Sequence, residues 1–274
     1  RLRDAAKMPN PASAGPLGLL RLKDFRRAWL IGVMTGSVRW SDMLVTGIYV
    51  FDVTASARDV AIVTFLRFLP MVGGAFSGAI AARLTIGRLL RFSLGMLALV
   101  YSVLGLLGWA GSLSIWQVAV GAFLNGVYWS TENSVRRTLL GEIAGPGRTS
   151  AAIGLDWATI SAVRLVGPVG ASAIYAAHGV GAAYAAFAVC FVLATTLALK
   201  LEGRDEPSAT RGLRLFSTVI EDIRIALQDR LMRGALIATI SMNFFCFSYA
   251  SMIPVIGKGI MPLVRRIRRQ FAKA

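Results

Sequence analysis

Residues 161–171 read SAVRLVGPVGA. An arginine lies inside a long apolar stretch, three residues before a Gly-Pro pair. The surrounding run, 151–176, has the length of a membrane-spanning helix, because the hydrocarbon core takes about 20 residues at about 1.5 Å each. Six further runs of this kind occupy 28–51, 59–82, 89–110, 115–136, 180–199 and 233–257. The last ends in IPVIGKGIM (253–261), with Pro254 inside it. Short polar segments join the runs, as in an up-down helical bundle. The predicted fold class is therefore an all-α polytopic membrane protein.

Composition agrees with that reading. Of 274 residues, 55% are hydrophobic and only 16% charged, where a soluble domain carries about 25% charged residues. Mean hydropathy is +0.62. A net charge of +16 would point to nucleic acid in a soluble protein. Here the basic residues gather in segments on one side of the presumed bilayer, so no nucleic-acid partner is expected. With the N-terminus on the cytoplasmic side, the inner segments hold most of the 30 basic residues. These include Arg21, Lys23, Arg26, Arg27, Arg83, Arg88, Arg91, Arg136, Arg137 and Arg148. The outer loops of the first six runs hold only Arg58. The expected location is the cell (inner, cytoplasmic) membrane.

Five segments follow. Residues 1–27 form a basic cytoplasmic tail without the early apolar core of a signal peptide. A six-helix bundle occupies 28–200, and a cytoplasmic linker occupies 201–232. In that linker Leu215, Val219, Ile223 and Leu227 recur every four residues, as in an amphipathic helix on anionic lipid or a solvated linker helix. A seventh spanning helix takes 233–257, and a basic tail takes 258–274. In the tail Leu263, Ile267 and Phe271 stripe the arginines, again a pattern for anionic lipid. The chain begins at Arg1 rather than Met, and its tail breaks the positive-inside pattern. Both features lead to the expectation of a partial sequence.

Charges in hydrocarbon cost about 2.5–3.5 kcal/mol each on insertion scales. Counting depth at about 1.5 Å per residue from the inner ends places Arg39 about 16 Å in, Asp42 and Arg164 about 21 Å in, and Arg67 about 18 Å in. Asp42 cannot neutralise three arginines. The layer is thus expected to carry surplus positive charge and to line a wet cavity for an anionic or polyhydroxylated small molecule. Arg39 and Asp42 stand at i, i+3, so a purely local pair is the competing reading. On the fourth run Asn125, Trp129, Glu132 and Arg136 share a face. Glu132, about 5–6 Å from the inner end, is expected to pair with Arg136 within the helix or to join an inner gate. Asp156, about 9 Å in, is a candidate proton carrier or gate partner. Pro168 predicts a kink, and Gly167 and Gly170 remove side chains where another helix can press close.

Cys190 and Cys246 lie in apolar runs and read as packing residues. His178 has no metal-ligand partner nearby. No nucleophile–base or metal constellation suggests an enzyme, and no cofactor is implied. A retinal photoreceptor would need a lysine within the seventh helix, where Lys258 stands only at its end.

Several segments resemble the major facilitator superfamily of secondary transporters. VRLVGPVGA (163–171) resembles the antiporter motif of its fifth helix. GAIAARLTIGRLL (78–90) is similar to the loop between its second and third helices. Two more stretches, RRTLLGEIAGPGRTSAAIGLDWATISAVRLVGP (136–168) and NFFCFSYASMIPVI (243–256), resemble the exporter branch that includes enterobactin and drug exporters. The resemblance implies a twelve-helix fold of two six-helix halves, of which this chain would hold the first half plus helix 7 and need the missing C-terminal half or a second copy. It implies Gly167 and Pro168 as the antiporter bend and Arg83 as a gating charge beside Arg88. The loop's usual acid is replaced by Ala82, which removes one member of the family's charge relay. The expected activity is efflux of an amphipathic or anionic molecule such as a drug or siderophore. Protons are the expected coupling ion through Asp42, with alternating access as the mechanism. A truncated, non-transporting membrane scaffold or assembly factor is the alternative.

Overall fold

The computed structural model describes residues 16–72, 86–145, 147–201, and positions 228, 232–234, 237 and 241. A short 3₁₀ helix, Pro16–Arg21, leads into α1 (Lys23–Thr54), α2 (Ala57–Val72), α3 (Ile86–Trp109), α4 (Ile115–Ala144) and α5 (Thr149–Leu199). No strand occurs among the described residues. Within α5 one residue leaves the helical region: Gly179, at φ 80° and ψ −177°. Only glycine enters that region readily. It divides α5 into a first arm, 149–178, and a second, 180–199, so that six helical rods occupy the positions of the first six apolar runs. Arg83, the 201–232 linker apart from positions 201, 228 and 232, and most of the seventh run lie outside the described residues.

The turns are short and locally specified. Ala55 closes α1 in the left-handed region, its N–H bonded to Phe51 O at 2.8 Å. The Ser56 hydroxyl then accepts the Asp59 N–H at 3.3 Å to start α2. At the start of α4 the Ser114 N–H donates to Gln117 Oε1 at 2.8 Å, half of a capping box. After α4 the Arg148 guanidinium donates to Ala144 O at 3.0 Å and satisfies a terminal carbonyl.

α1 packs mainly on α5, α3 on α5 and α4, and α2 on α4. On α3, Leu90, Leu94, Leu97 and Tyr101 form a buried stripe against Tyr184, Phe187 and Phe191 of the second arm. The opposite face of α3 is also apolar: Phe92 is 69%, Leu99 66% and Leu106 63% exposed. Meanwhile Arg39, Asp42, Arg67, Glu132, Arg136 and Asp156 are buried. A charged interior under an apolar surface suits lipid rather than water. By length and composition two described helices, Gly87–Trp109 and Thr149–Leu199, are apolar enough to cross a membrane. The second, at 51 residues, is about 77 Å long, enough for two crossings of an about 30 Å core. The buried charges of α1 and α4 lower their mean hydropathy, and the described part of α2 has only 16 residues.

Candidate functional site

Buried charges from α1, α2, α4 and the first arm of α5 gather into two clusters, to which α3 and the second arm add tyrosine hydroxyls. In the inner one, Arg136 of α4 reaches back one turn to Glu132 and grips Asp156 of α5 with both terminal nitrogens, the second at 3.1 Å from Oδ2. This is the bidentate fork that suits guanidinium and carboxylate. The second oxygen of Glu132 accepts a hydrogen bond from Arg39 of α1. Gly32 makes room for this cluster, since a Cβ there would lie 2.8 Å from Arg136 Cζ.

The outer cluster is centred on Asp42. Its Oδ2 accepts from Arg67 of α2 and, at 2.9 Å, from Asn125 of α4. Its Oδ1 accepts from Thr46 at 3.0 Å, and Thr46 Oγ1 is 3.1 Å from the Tyr184 hydroxyl of the second arm. Asn125 also donates to the Tyr101 hydroxyl of α3 at 2.8 Å. α2 reaches this depth by pressing its Arg67 backbone against Gly126, where a Cβ would lie 3.0 Å from the Arg67 carbonyl carbon.

A ladder of rings and cations borders these clusters. Arg39 Cζ lies 4.6 Å from the Trp129 ring centroid, and Phe68 packs 5.5 Å from the same ring. Trp129 meets Trp40 edge to face at 6.0 Å, and Trp40 carries Arg164 of α5, Cζ to centroid 4.2 Å. Arg164 is exposed, unlike Arg39 and Arg67.

This geometry corrects the charge count made from sequence. Surplus charge on Arg39 and Arg67 is not what the helices build: Arg67 is met by Asp42 and Arg39 by Glu132. α4 continues past the apolar run to Ala144, which puts Glu132 about 18 Å from the end of the helix. The expected Glu132–Arg136 pair within the helix is present, and Asp156 joins it. Arg39 and Asp42 use partners on other helices in place of a purely local pair. Around Pro168 the backbone stays in the helical region of φ/ψ, and within α5 only Gly179 leaves it. Gly167 does allow close approach, its missing Cβ facing Ser41 Oγ at 2.9 Å and Ser37 O at 3.0 Å on α1, whereas Gly170 has no atom within 4 Å. Arg88 lies exposed in the first turn of α3. Trp40, Phe68, Tyr101 and Tyr184 went unnoticed in the sequence because an aromatic residue in an apolar run carries no sign of its polar partners.

No group of three His, Cys, Asp or Glu side chains comes together among the described residues. The carboxylates of both clusters are engaged by guanidinium groups.

The sequence profile described as Major Facilitator Superfamily matches residues 9–262. The chain is also similar to the Staphyloferrin A transporter of Staphylococcus aureus (strain NCTC 8325 / PS 47), at 25% identity over 228 residues, which cover 81% of this chain and 56% of that protein. It therefore spans little more than half the length of this curated relative. No solved structure matches it at a significant level. With the profile covering nearly the whole chain and an all-helical, lipid-suited body beneath it, the chain belongs to the major facilitator superfamily.

Proposed function

We propose that the protein is a secondary active transporter of the cytoplasmic membrane, with its N-terminus inside, that exports a small amphipathic or anionic molecule of the drug or siderophore kind. The observation that carries this reading is Arg164, an exposed guanidinium halfway along the first arm of α5, seated on Trp40. A cation kept at mid-depth beside aromatic rings is a recognition element for an anion. The similarity to the Staphyloferrin A transporter supports a small-molecule substrate.

In this reading Arg164 meets the substrate while Arg39, Arg67 and Asp42 form the wall behind it. Asp42 carries the coupling proton: protonation removes the charge that holds Arg67 and Asn125. Glu132, Arg136 and Asp156 hold the inner ends of α1, α4 and α5 together, with Arg83 and Arg88 as further gating charges. The Gly167–Pro168–Gly170 segment is the bend against α1. The half rocks against a partner half, whether a C-terminal half or a second copy, and anionic lipids contact the inner basic ring. A non-transporting membrane scaffold is the competing reading, favoured by the engagement of Arg39, Arg67 and Arg136 with buried carboxylates.

The test is efflux from cells expressing the gene, with candidate drugs and siderophores, comparing wild type with Arg164→Ala and with a protonophore. Loss of efflux in the variant, and in wild type on collapse of the proton gradient, is the expected result. Undiminished export of every substrate by Arg164→Ala would remove the site assignment, and absence of export by the wild type would favour the scaffold.

A further inference from the structure

Two guanidinium–indole pairs lie along the first arm of α5. Besides Arg164 on Trp40, Arg137 of α4 covers Trp157, with its Cζ 4.5 Å from the ring centroid. Trp157 and Arg164 are seven residues apart, so they occupy the same side of the helix about 10 Å from each other along its axis. Ser161 is exposed between them, its hydroxyl donating to the Trp157 carbonyl at 2.9 Å. Trp157 itself is 52% exposed. This side of α5 is thus an open strip with a cation on an aromatic ring at each end.

Stacking on indole occupies the flat face of a guanidinium. Its N–H groups bond in the plane, where carboxylate or phosphate oxygens fit. Arg137 carries an additional sign. Its Nε is buried and 3.8 Å from Asp156 Oδ2, beyond hydrogen-bond reach, and has no hydrogen-bond partner among the described residues. Both Asp156 oxygens are already engaged by Arg136. A buried guanidinium donor without an acceptor is costly, and the Arg137 side chain as a whole is 31% exposed, open to an oxyanion beside it.

We infer that Arg137 on Trp157 is a second oxyanion site, two turns toward the inner end from Arg164, and that the transported molecule bears two carboxylate groups, one for each arginine, set apart on the scale of the about 10 Å axial rise between Trp157 and Arg164. The inference rests on the transport reading and adds to it the charge pattern of the substrate. A phospholipid phosphate offers Arg137 the same chemistry, so the test separates the two sources.

The full chain is placed in nanodiscs of phosphatidylcholine, and binding is followed by tryptophan fluorescence, since Trp40 and Trp157 lie at the two sites. The probes are α,ω-dicarboxylates from succinate to sebacate, with octanoate as the single-charge control. The expected result is an optimum among the longer dicarboxylates, about tenfold tighter than octanoate, as one further charge-assisted contact supplies. Arg137→Gln should bring the dicarboxylates down to the octanoate level, and Trp157→Ala, a change at a half-exposed ring, should reduce the optimum as well. Arg164→Gln should weaken every probe. An affinity independent of length, or an optimum that survives Arg137→Gln, overturns the second site. Octanoate binding through Arg164 without any dicarboxylate gain overturns it too, while leaving the transport reading standing; no carboxylate binding by the wild type overturns both. In discs containing phosphatidylglycerol the optimum should persist. Its disappearance there would assign Arg137 to lipid phosphate and overturn the two-carboxylate substrate.

Discussion

Replacing Asp42 by Asn tests the buried outer cluster most directly. The side chains are nearly isosteric, so packing is retained and the effect isolates charge. Asp42 accepts from Arg67, Asn125 and Thr46, and both Asp42 and Arg67 are 2% exposed. An Asn amide offers one acceptor oxygen and presents an NH2 to the remaining donors. At least one charge-assisted bond is lost, worth about 1.5–3 kcal/mol, and Arg67 is left as an uncompensated buried cation. Breaking one side of such a pair costs about 3–5 kcal/mol in total. Arg67→Gln alone leaves Asp42 buried with Asn125 and Thr46 as donors and should cost somewhat less, about 2–4 kcal/mol. The double variant removes both charges and should be less destabilised than the sum, giving a coupling energy of about 2–3 kcal/mol. Equilibrium unfolding in mixed micelles, followed by tryptophan fluorescence, measures all three differences. Additivity of the single variants within about 0.5 kcal/mol would refute the pairing and with it the assignment of Asp42 as the centre of the cluster.

Other positions give independent checks. Glu132→Gln removes the carboxylate shared by Arg39 and Arg136 and should destabilise by about 3–5 kcal/mol in the same unfolding assay. Gly126→Leu forces a side chain into the Arg67 backbone and should cost at least the about 1–3 kcal/mol of overpacking, whereas Gly170→Ala, facing open space, should leave stability within about 0.5 kcal/mol of wild type. Gly179→Ala places a side chain at φ 80° and should cost about 1–3 kcal/mol, seen as a lower midpoint in thermal size-exclusion profiles. Trp40→Ala removes the ring beneath Arg164 and should weaken anion binding roughly two- to fivefold, the scale of an exposed cation–π contact.

The helices were legible because each is a long apolar run bounded by glycine, serine or charge, and length against bilayer thickness is a strong constraint. The break at Gly179 coincides with the gap between the fifth and sixth runs. The fate of the charges was only half legible. Asn125, Trp129, Glu132 and Arg136 were visible as one face of α4 from spacing alone, and all four meet the network. Their partners were not visible, because pairing across helices depends on how the rods cross. The end of α4 was not legible: hydropathy fades at Arg136 while helical hydrogen bonding continues to Ala144, because polar helix ends extend past the apolar run that announces a helix. Close packing at the Gly-Pro pair was legible from the small residue itself: Gly167 lets α1 approach this stretch of α5.

The division of labour among the arginines has a consequence for transport. Arg39, Arg67 and Arg136 each bind a carboxylate contributed by another helix or turn, so together they tie α1, α2, α4 and both arms of α5 into one unit, with Tyr101 adding α3. Opening that unit would expose several charges to lipid at about 2.5–3.5 kcal/mol each. In the proposed transport reading, alternating access by relative motion of these helices is therefore costly, and motion of the unit as a body against a partner half is favoured. A substrate that competed for Arg39 or Arg67 would have to displace a buried carboxylate. One that docks on Arg164 and Arg137 leaves the network closed. On that reading the charge balance that stiffens the unit leaves recognition to the exposed side of α5, and Arg164→Ala should impair substrate binding while leaving the unfolding midpoint near that of the wild type.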